Sequence, residues 1–245
     1  MMSYAFSKVF GPTDSVANTK TTVGSTYVIP PGSFNIKKMR VAKANVVNAK
    51  ECAGVITVEI TGVDGTYKYA YGNGTGGATN GGPSIGAEPI ECSINAPGGA
   101  TMTVSVTDAE AATAVLVSCD FFGGQGKRVD SYSTGGAGKD PAAATALAVG
   151  TITPTKAGNI KQIRWACGQV VDAKSASAKL VLTVPGLAGP FEYAVGNGCS
   201  GATLGGAAWA DVIDVDIPVG VNVIVTVTVT YTDAAVSATI SLAVA

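Results

Sequence analysis

Short runs in which apolar and polar residues alternate recur along the whole chain. In GVITVEIT, Ile56, Val58 and Ile60 share one face of an extended strand, and Thr57 and Glu59 share the other. Further runs of this kind are ATMTVSVT, TAVLVSCDFF, AKLVLTVP, DVIDVDIP, VNVIVTVTVTY and SATISLAVA. They are rich in β-branched residues and bounded by Gly, Pro, Asn or Asp, which is typical of strands. Since no longer stretch has the periodicity of an amphipathic helix, the pattern predicts an all-β protein.

The sequence pattern occurs twice, at a fixed offset of 124 residues. NIKKMRVAKANVVNAK at 35–50 aligns without a gap with NIKQIRWACGQVVDAK at 159–174, and nine of the sixteen positions are identical. Residues 67–82 and 191–206 match at the same offset, with ten identities in sixteen. Two such matches at one spacing indicate the tandem duplication of a domain.

Each copy contains seven or eight predicted strands, which fits an antiparallel β-sandwich of the immunoglobulin or jelly-roll type. The immunoglobulin fold calls for a Trp between two Cys that join the sheets, and neither Trp165 nor Trp209 has such flanks. We therefore favour two tandem antiparallel sandwiches of the jelly-roll type, related by internal duplication.

The chain divides into four predicted segments. A polar N-terminal arm, residues 1–22, is expected to reach onto a neighbouring subunit. The first sandwich is placed at 23–124 and the second at 141–245. The stretch between them, 125–140, is rich in Gly, Ser and Ala and is predicted to be a linker.

Composition narrows the classes of function. Charged residues make up 13% of the chain, against about 25% in an average soluble domain. A formal net charge of −1 gives no field that would attract nucleic acid, so we expect no specific nucleic-acid binding. Weakly charged chains tend to associate, which favours a homo-oligomer.

No apolar run is long enough to span a membrane, and the N-terminus lacks the pattern of a secretory signal peptide. We expect the protein to stay in the cell that makes it, or to leave by another route. Assembly into a particle released by lysis would be one such route.

Little in the sequence points to catalysis or metal binding. There is no histidine, and the five cysteines form no C-x-x-C pair, so no metal site is predicted. Buried, reduced cysteines are favoured, with a single disulfide as the alternative. No G-x-S-x-G or S-x-x-K motif introduces a nucleophile, and the carboxylates are scattered. We therefore expect no enzyme activity, no catalytic residues and no cofactor.

The glycine-rich loop YAYGNGTGGATNGGP at 69–83 recurs as YAVGNGCSGATLGGA at 193–207. GNGTGG matches the dinucleotide fingerprint G-x-G-x-x-G, but no helix follows it and the second copy breaks the pattern. Calcium is a second alternative, weakened because residues 70–83 contain no carboxylate. The loop is interpreted as a connection that closes one end of each sandwich.

Aromatic residues precede this loop at alternate positions. Tyr67, Tyr69 and Tyr71 share one side of a predicted strand and could stack on a sugar, although Val195 replaces Tyr71 in the second copy. A buried or half-buried aromatic ladder is the favoured interpretation. The interaction candidates taken from the strand and loop are Tyr69, Asn73, Tyr193 and Asn197.

Three basic residues recur between the copies. They are Lys37, Arg40 and Lys50, repeated as Lys161, Arg164 and Lys174. A charged residue that is solvated or protects a sheet edge is the favoured interpretation, and a subunit contact is the alternative.

The recurring strings NIK..R.A...VV.AK and YA.GNG..GAT.GG, together with the low charge, mark the architectural resemblance of this chain to a known class. It resembles the tandem (double) jelly-roll structural proteins of icosahedral viruses, including capsid and turret proteins of archaeal viruses. The resemblance implies a location in the virion, and association in rings or pseudo-hexagonal arrays with copies of itself and other capsid proteins. A mass of 24.3 kDa favours a minor capsid, turret or spike component over a major capsid protein.

Two other classes of function remain open. One is a cellular extracellular assembly subunit of a surface layer, tubule or pilus. The other is a carbohydrate-binding adhesion module that recognises a host-surface glycan through the loops and aromatic faces.

Overall fold

The computed structural model of the chain describes most of its length. The described residues are 4–43, 45–46, 53–72, 88–109, 111–136, 139–140, 142–167, 177–196, 210–232 and 238–245. Within these ranges every helix-or-strand element is a β-strand. The same ranges contain no helix of the length and apolarity needed to cross a membrane.

The first half of the chain forms two antiparallel sheets. Its strands are β1 (Tyr4–Ser15), β2 (Thr21–Thr22), β3 (Tyr27–Val28), β4 (Ser33–Ala42), β5 (Asn45–Val46), β6 (Ala53–Ile60), β7 (Lys68–Gly72), β8 (Glu88–Pro97), β9 (Thr101–Asp108) and β10 (Ala112–Gly123). One sheet has the order β1-β10-β4-β8, and the other has the order β2-β9-β6-β7. Both β2 and β3 pair with β9, so they form one interrupted strand, and β5 extends the first sheet along β10.

The second half repeats this arrangement. Its strands are β11 (Asp130–Gly135), β12 (Ala146–Ile152), β13 (Gly158–Ala166), β14 (Ser177–Thr183), β15 (Phe191–Gly196), β16 (Asp211–Val219), β17 (Val225–Tyr231) and β18 (Thr239–Val244). The sheet orders are β11-β18-β13-β16 and β12-β17-β14-β15.

The two halves therefore share one topology. We count eight strands in each half, taking β2 and β3 as one interrupted strand and leaving out the short β5. In both halves the first, eighth, third and sixth strands form one sheet, and the second, seventh, fourth and fifth strands form the other. Two facing four-stranded sheets with these crossovers are a jelly roll. The predicted fold class, two tandem antiparallel jelly rolls, is confirmed.

Each jelly roll encloses its own apolar core, built from the inward positions of the alternating strands. Ile56, Val58 and Ile60 are buried, whereas Glu59 on the opposite face of β6 is exposed. Large members of the first core are Phe10, Ile36, Met39, Ile56, Tyr69, Val104 and Phe121. Large members of the second core are Ile160, Ile163, Trp165, Leu180, Leu182, Tyr231 and Leu242. Burial of these faces is the main term that stabilises both sandwiches.

The N-terminal segment differs from the expected free arm at 1–22. Residues 4–15 form β1, which pairs with β10 and completes the first sheet. This segment joins the sheet because it carries apolar residues among its polar ones. Phe10 is buried, and Phe6 stacks on Phe121 with ring centroids 4.5 Å apart. Register shifts along β1 break the strict alternation that would have indicated a strand.

The expected linker at 125–140 also contains a strand. β11 pairs with β18 along its full length, at the edge of a sheet in the second jelly roll. Its sequence, DSYSTG, is largely polar. Ser131 is buried against the first jelly roll and not in an apolar core, so this position does not require an apolar residue. The domain limits drawn from composition stay predictions in other respects.

Candidate interaction surface

The free edge of β7 lies on the outer face of the β11-β18-β13-β16 sheet. Its inner edge pairs with β6, and its outer edge meets side chains of the second jelly roll. The Arg164 Nε donates to the carbonyl oxygen of Ala70 at 3.0 Å, and the Ser241 Oγ accepts from the Ala70 N–H at 2.9 Å. The Ser131 Oγ donates to the carbonyl oxygen of Lys68 at 2.6 Å. Side chains therefore occupy backbone groups that a neighbouring strand would otherwise bind.

The chain segment that enters the second jelly roll continues this contact. The Ser131 N–H donates to the carbonyl oxygen of Thr66 at 2.7 Å, and Tyr67 and Ser131 form a parallel β-bridge. Arg128 bonds to the Asp130 carboxylate, with its Nε 2.7 Å from Oδ1, and lies 6.0 Å from the centre of the Tyr67 ring. β11 is thus held against the first jelly roll by backbone, charge and aromatic contacts together.

The contact is fully desolvated at its centre. Arg164 is 4% exposed, and Ser131, Ser241 and Ala70 are 1% exposed or less. A buried guanidinium is tolerated only where acceptors surround it, and the β7 edge supplies one. Arg164 is thus neither a solvated charge nor a subunit contact: it is buried in a contact between the two halves of one chain. Arg40, its counterpart, lies exposed on β4.

The recurring lysines have different positions. The Lys161 Nζ lies 2.5 Å from Oδ1 of Asp216, and its hydrogen bond lowers the pKa of this exposed carboxyl. Lys37 is half-buried on β4. Lys50 and Lys174 lie outside the described residues. Lys161 is a solvated charge of the kind expected, and it pairs with Asp216.

The two candidate tyrosines lie in different jelly rolls. Tyr69 is 1% exposed, and its hydroxyl has no hydrogen-bond partner within the described part of the chain. Burial holds the pKa of Tyr69 well above its usual value. Tyr193 is only half-buried, and partial desolvation raises its pKa. Asn73 and Asn197 fall outside the described residues, as do residues 73–83 and 197–207 of the two glycine-rich loops.

The tyrosine faces of the first jelly roll are turned into its core. Tyr67, Tyr69 and Tyr71 are all at most 2% exposed, in agreement with a buried aromatic ladder. Stacking of a sugar on these three rings would require them to leave the core. Tyr193 instead borders an open cavity of about 590 Å³, whose lining residues include Lys179 and Glu192.

A buried polar network, which the sequence analysis did not find, lies near the start of the glycine-rich loop in the first jelly roll. The Lys43 Nζ is 2.5 Å from Oδ1 of Asp108, and both side chains are completely buried. The Ser15 hydroxyl donates to Oδ2 of Asp108 at 2.7 Å, and the Tyr71 hydroxyl donates to Oδ1. The Lys43 ammonium also lies 4.8 Å from the centre of the Tyr71 ring.

The second jelly roll has different residues at the equivalent positions. Cys167 occupies the position of Lys43, and Tyr231 occupies that of Asp108. There the Trp165 indole N–H donates to the Tyr231 hydroxyl at 2.8 Å. The sequence held one sign of this network, a difference between the copies. Lys43 stands where the second copy has a buried cysteine, Cys167.

Cysteines in the described part of the chain are unpaired with one another. Cys92, Cys119 and Cys167 form no disulfide with one another, and burial raises the pKa of Cys92 and Cys119. Cys52 and Cys199 lie outside the described residues. Over the ranges that the structure covers, no three His, Cys, Asp or Glu residues come together as a metal site would require.

Comparisons with known proteins give structural likenesses only. The chain is similar to the STIV MCP, a major capsid protein, with 11% sequence identity and a TM-score of 0.47, over 100% of this chain and 96% of that chain. It is also similar to a structure of infectious bursal disease virus Gx strain, with 9% identity and a TM-score of 0.25, over 100% of this chain and 73% of that chain. A third likeness is to a T=3 Penaeus vannamei nodavirus, with 8% identity and a TM-score of 0.22, over 97% and 89% of the two chains.

No family model matches the sequence, and no curated protein matches it either. The architectural resemblance to a viral capsid protein that the sequence suggested is thus found again in structure. The two jelly rolls are established by the strand order of this chain itself.

Proposed function

We propose that this protein is a viral structural protein whose two jelly rolls associate with further copies in a virion shell, as a minor capsid, turret or spike component. The observation that carries the proposal is the docking of the β7 edge on the outer sheet face of the second jelly roll. A sandwich that receives a strand edge on its outer face is suited to edge-to-face packing in an array.

The outer surface supports the same conclusion. Tyr4 and Val9 on β1 are 58% and 53% exposed, and Val212 on β16 is 42% exposed. With only 13% charged residues over the chain, few charges oppose contact between copies. Exposed apolar residues in a weakly charged surface favour association.

Electron microscopy with light scattering tests this proposal. We expect the purified protein to form rings, sheets or shells, with a mass that rises with protein concentration. A monodisperse monomer over a wide concentration range, with no assembly on addition of other virion proteins, would refute it. Assemblies formed on a cell surface by an exported protein would favour the cellular surface-layer, tubule or pilus subunit.

A second candidate function rests on the cavity beside Tyr193. Its lining combines the half-buried Tyr193 with the ion pair of Lys179 and Glu192, whose charged atoms are 3.0 Å apart. Aromatic and charged groups at one opening suit a glycan. A glycan array probed with the monomer tests this function, and loss of any signal in a Tyr193→Ala variant would support it.

A further inference from the structure

A polar cavity of about 250 Å³ lies where the two jelly rolls meet, next to the contact that Ser131 makes with β7. The first jelly roll contributes Thr66 and Lys68 to its lining. The second contributes residues of β11, of β12 and of the segment that follows β12. At about 30 Å³ for each water molecule, the cavity has room for about eight waters or for one small ligand.

The lining of this cavity is rich in hydrogen-bond donors. Lys68 supplies an ammonium group, and Ile152 is apolar. The other lining residues carry hydroxyl groups, and they are Thr66, Tyr132, Ser133, Thr151, Thr153 and Thr155. Among the described residues that line the cavity, none is a carboxylate. Since an ammonium group only donates and a hydroxyl group can donate, the lining suits a ligand that consists of acceptors.

Lys68 reaches this cavity without a counter-ion. Its carbonyl oxygen accepts from the Ser131 Oγ at 2.6 Å, which fixes the backbone of β7 against β11. Its side chain is exposed and forms no ion pair in the part of the chain that the structure describes. Other exposed lysines do pair with a carboxylate, namely Lys20, Lys38, Lys161 and Lys179. An unpaired positive charge among hydroxyl groups favours an anion.

Two hydroxyl groups of the second jelly roll leave one proton for a ligand. Tyr132 is only 6% exposed, and its hydroxyl accepts from the Thr155 N–H at 3.2 Å. The same hydroxyl lies 3.1 Å from Oγ1 of Thr155, so the two groups share one hydrogen bond. That bond uses one of the two hydroxyl protons, whichever group donates. The other proton is available to the cavity, at a position that the buried Tyr132 ring fixes.

We propose that this cavity binds a phosphate or sulfate group. The Lys68 ammonium compensates the charge of the oxyanion from the first jelly roll, as lysine does in many phosphate sites. The hydroxyl pair of Tyr132 and Thr155 donates to the oxyanion from the second jelly roll. The remaining space is lined by hydroxyl groups and admits part of a sugar that carries the phosphate or sulfate. The site is independent of the proposed self-association.

Isothermal titration calorimetry with inorganic phosphate, at constant ionic strength set with chloride, tests the proposal. A small ion with few contacts is expected to bind with a Kd of about 1 mM. Lys68→Gln removes the charge at similar length and is expected to raise the Kd about tenfold. Thr155→Val keeps the shape of the side chain, removes its hydroxyl and is expected to raise the Kd about fivefold.

Lys127→Gln is the matched control. Lys127 is also exposed, forms no ion pair within the described residues and does not line the cavity. Its replacement changes the net charge as Lys68→Gln does, and the Kd is expected to stay as in the wild type. Circular dichroism confirms that each variant is folded. Crystals soaked in selenate are expected to show an anomalous peak between Lys68 and Thr155.

A second titration separates the two sources of the oxyanion. Glucose 6-phosphate or glucose 6-sulfate that binds more tightly than inorganic phosphate would assign the site to a sugar ester. Equal or weaker binding of both esters would assign it to the free ion.

Three outcomes would overturn the proposal. The first is no binding of phosphate, and the second is a Kd that Lys68→Gln leaves unchanged. The third is equal weakening by Lys68→Gln and Lys127→Gln with no effect of Thr155→Val, which would show an adventitious ion only. Because the titration does not require assembly, a wild type that binds phosphate as a monomer at every concentration would overturn the proposed function alone.

Discussion

The buried pair of Lys43 and Asp108 offers a sharp test of how the first jelly roll is held together. Asp108→Asn keeps the shape of the side chain and removes its charge. It leaves the Lys43 ammonium completely buried beside a neutral amide. Breaking a buried ion pair in this way costs about 3–5 kcal/mol of unfolding free energy.

The companion variant is Lys43→Met, which keeps the length of the side chain and removes the ammonium. In the double variant Lys43→Met/Asp108→Asn no buried charge remains. Ser15 and Tyr71 donate to different oxygens of the Asp108 carboxylate, so one hydroxyl keeps the amide oxygen as its acceptor and the other must turn to accept from the amide N–H. Neutral replacement of a whole buried pair is often close to free of cost. We therefore expect the double variant to recover about 2 kcal/mol or more relative to Asp108→Asn.

Urea unfolding measured by far-ultraviolet circular dichroism checks these values. Trp165 and Trp209 both belong to the second half of the chain, so their fluorescence reports the second jelly roll separately. In the single variants, we expect a lower urea midpoint for the circular dichroism transition of the first jelly roll. The midpoint measured by tryptophan fluorescence is expected to change less. A loss below about 1 kcal/mol for Asp108→Asn, or a double variant as unstable as the sum of both single variants, would refute the reasoning.

Three further predictions concern single side chains. Tyr69→Phe is expected to raise the unfolding free energy by about 1 kcal/mol, because it removes a buried hydroxyl without a partner, while Tyr193→Phe, at a half-buried site, leaves it nearly unchanged in the same urea assay. Gly135→Ala is expected to lower the unfolding free energy by about 2 kcal/mol more than Gly136→Ala. Both glycines have positive φ, +94° and +113°, but only at Gly135 would the added Cβ overlap a backbone carbonyl oxygen. Equal losses of stability in thermal unfolding would contradict this. Cys119 is expected to react with a disulfide reagent at neutral pH only after unfolding, since burial raises the pKa of its thiol, and fast labelling of the folded protein located there by mass spectrometry would contradict it.

The fold was predictable because the duplicated strings and the period-two alternation survive in most strands. The alternation of Ile56, Val58 and Ile60 predicts β6 directly. The repeat at 159–174 predicts β13 through its likeness to β4. β1 and β11 were missed for a different reason. β1 carries register shifts that interrupt its alternation, and β11 buries serine and aspartate against the first jelly roll, where apolar periodicity gives no signal.

The interaction surface was predictable only in part. The recurrence of Arg40 as Arg164 marked an important position, but the sequence could not tell that one is covered by β7 and the other exposed. That difference depends on how the two jelly rolls pack, which strand patterns do not encode. The Lys43 and Asp108 pair was equally hidden, since 65 residues separate two charges that meet only in the folded sandwich.

The Lys43 and Asp108 pair has a consequence for folding of a duplicated chain. Tandem domains of similar sequence can exchange strands with each other and form misassembled products. If β4 and the residue that follows it took the place of β13 and Cys167, Lys43 would be buried beside Tyr231, with no carboxylate at the position that Asp108 fills in its own sandwich. If β9 took the place of β17, Asp108 would be buried without its lysine. A charge pair present in only one copy therefore disfavours the exchange of strands between the two jelly rolls.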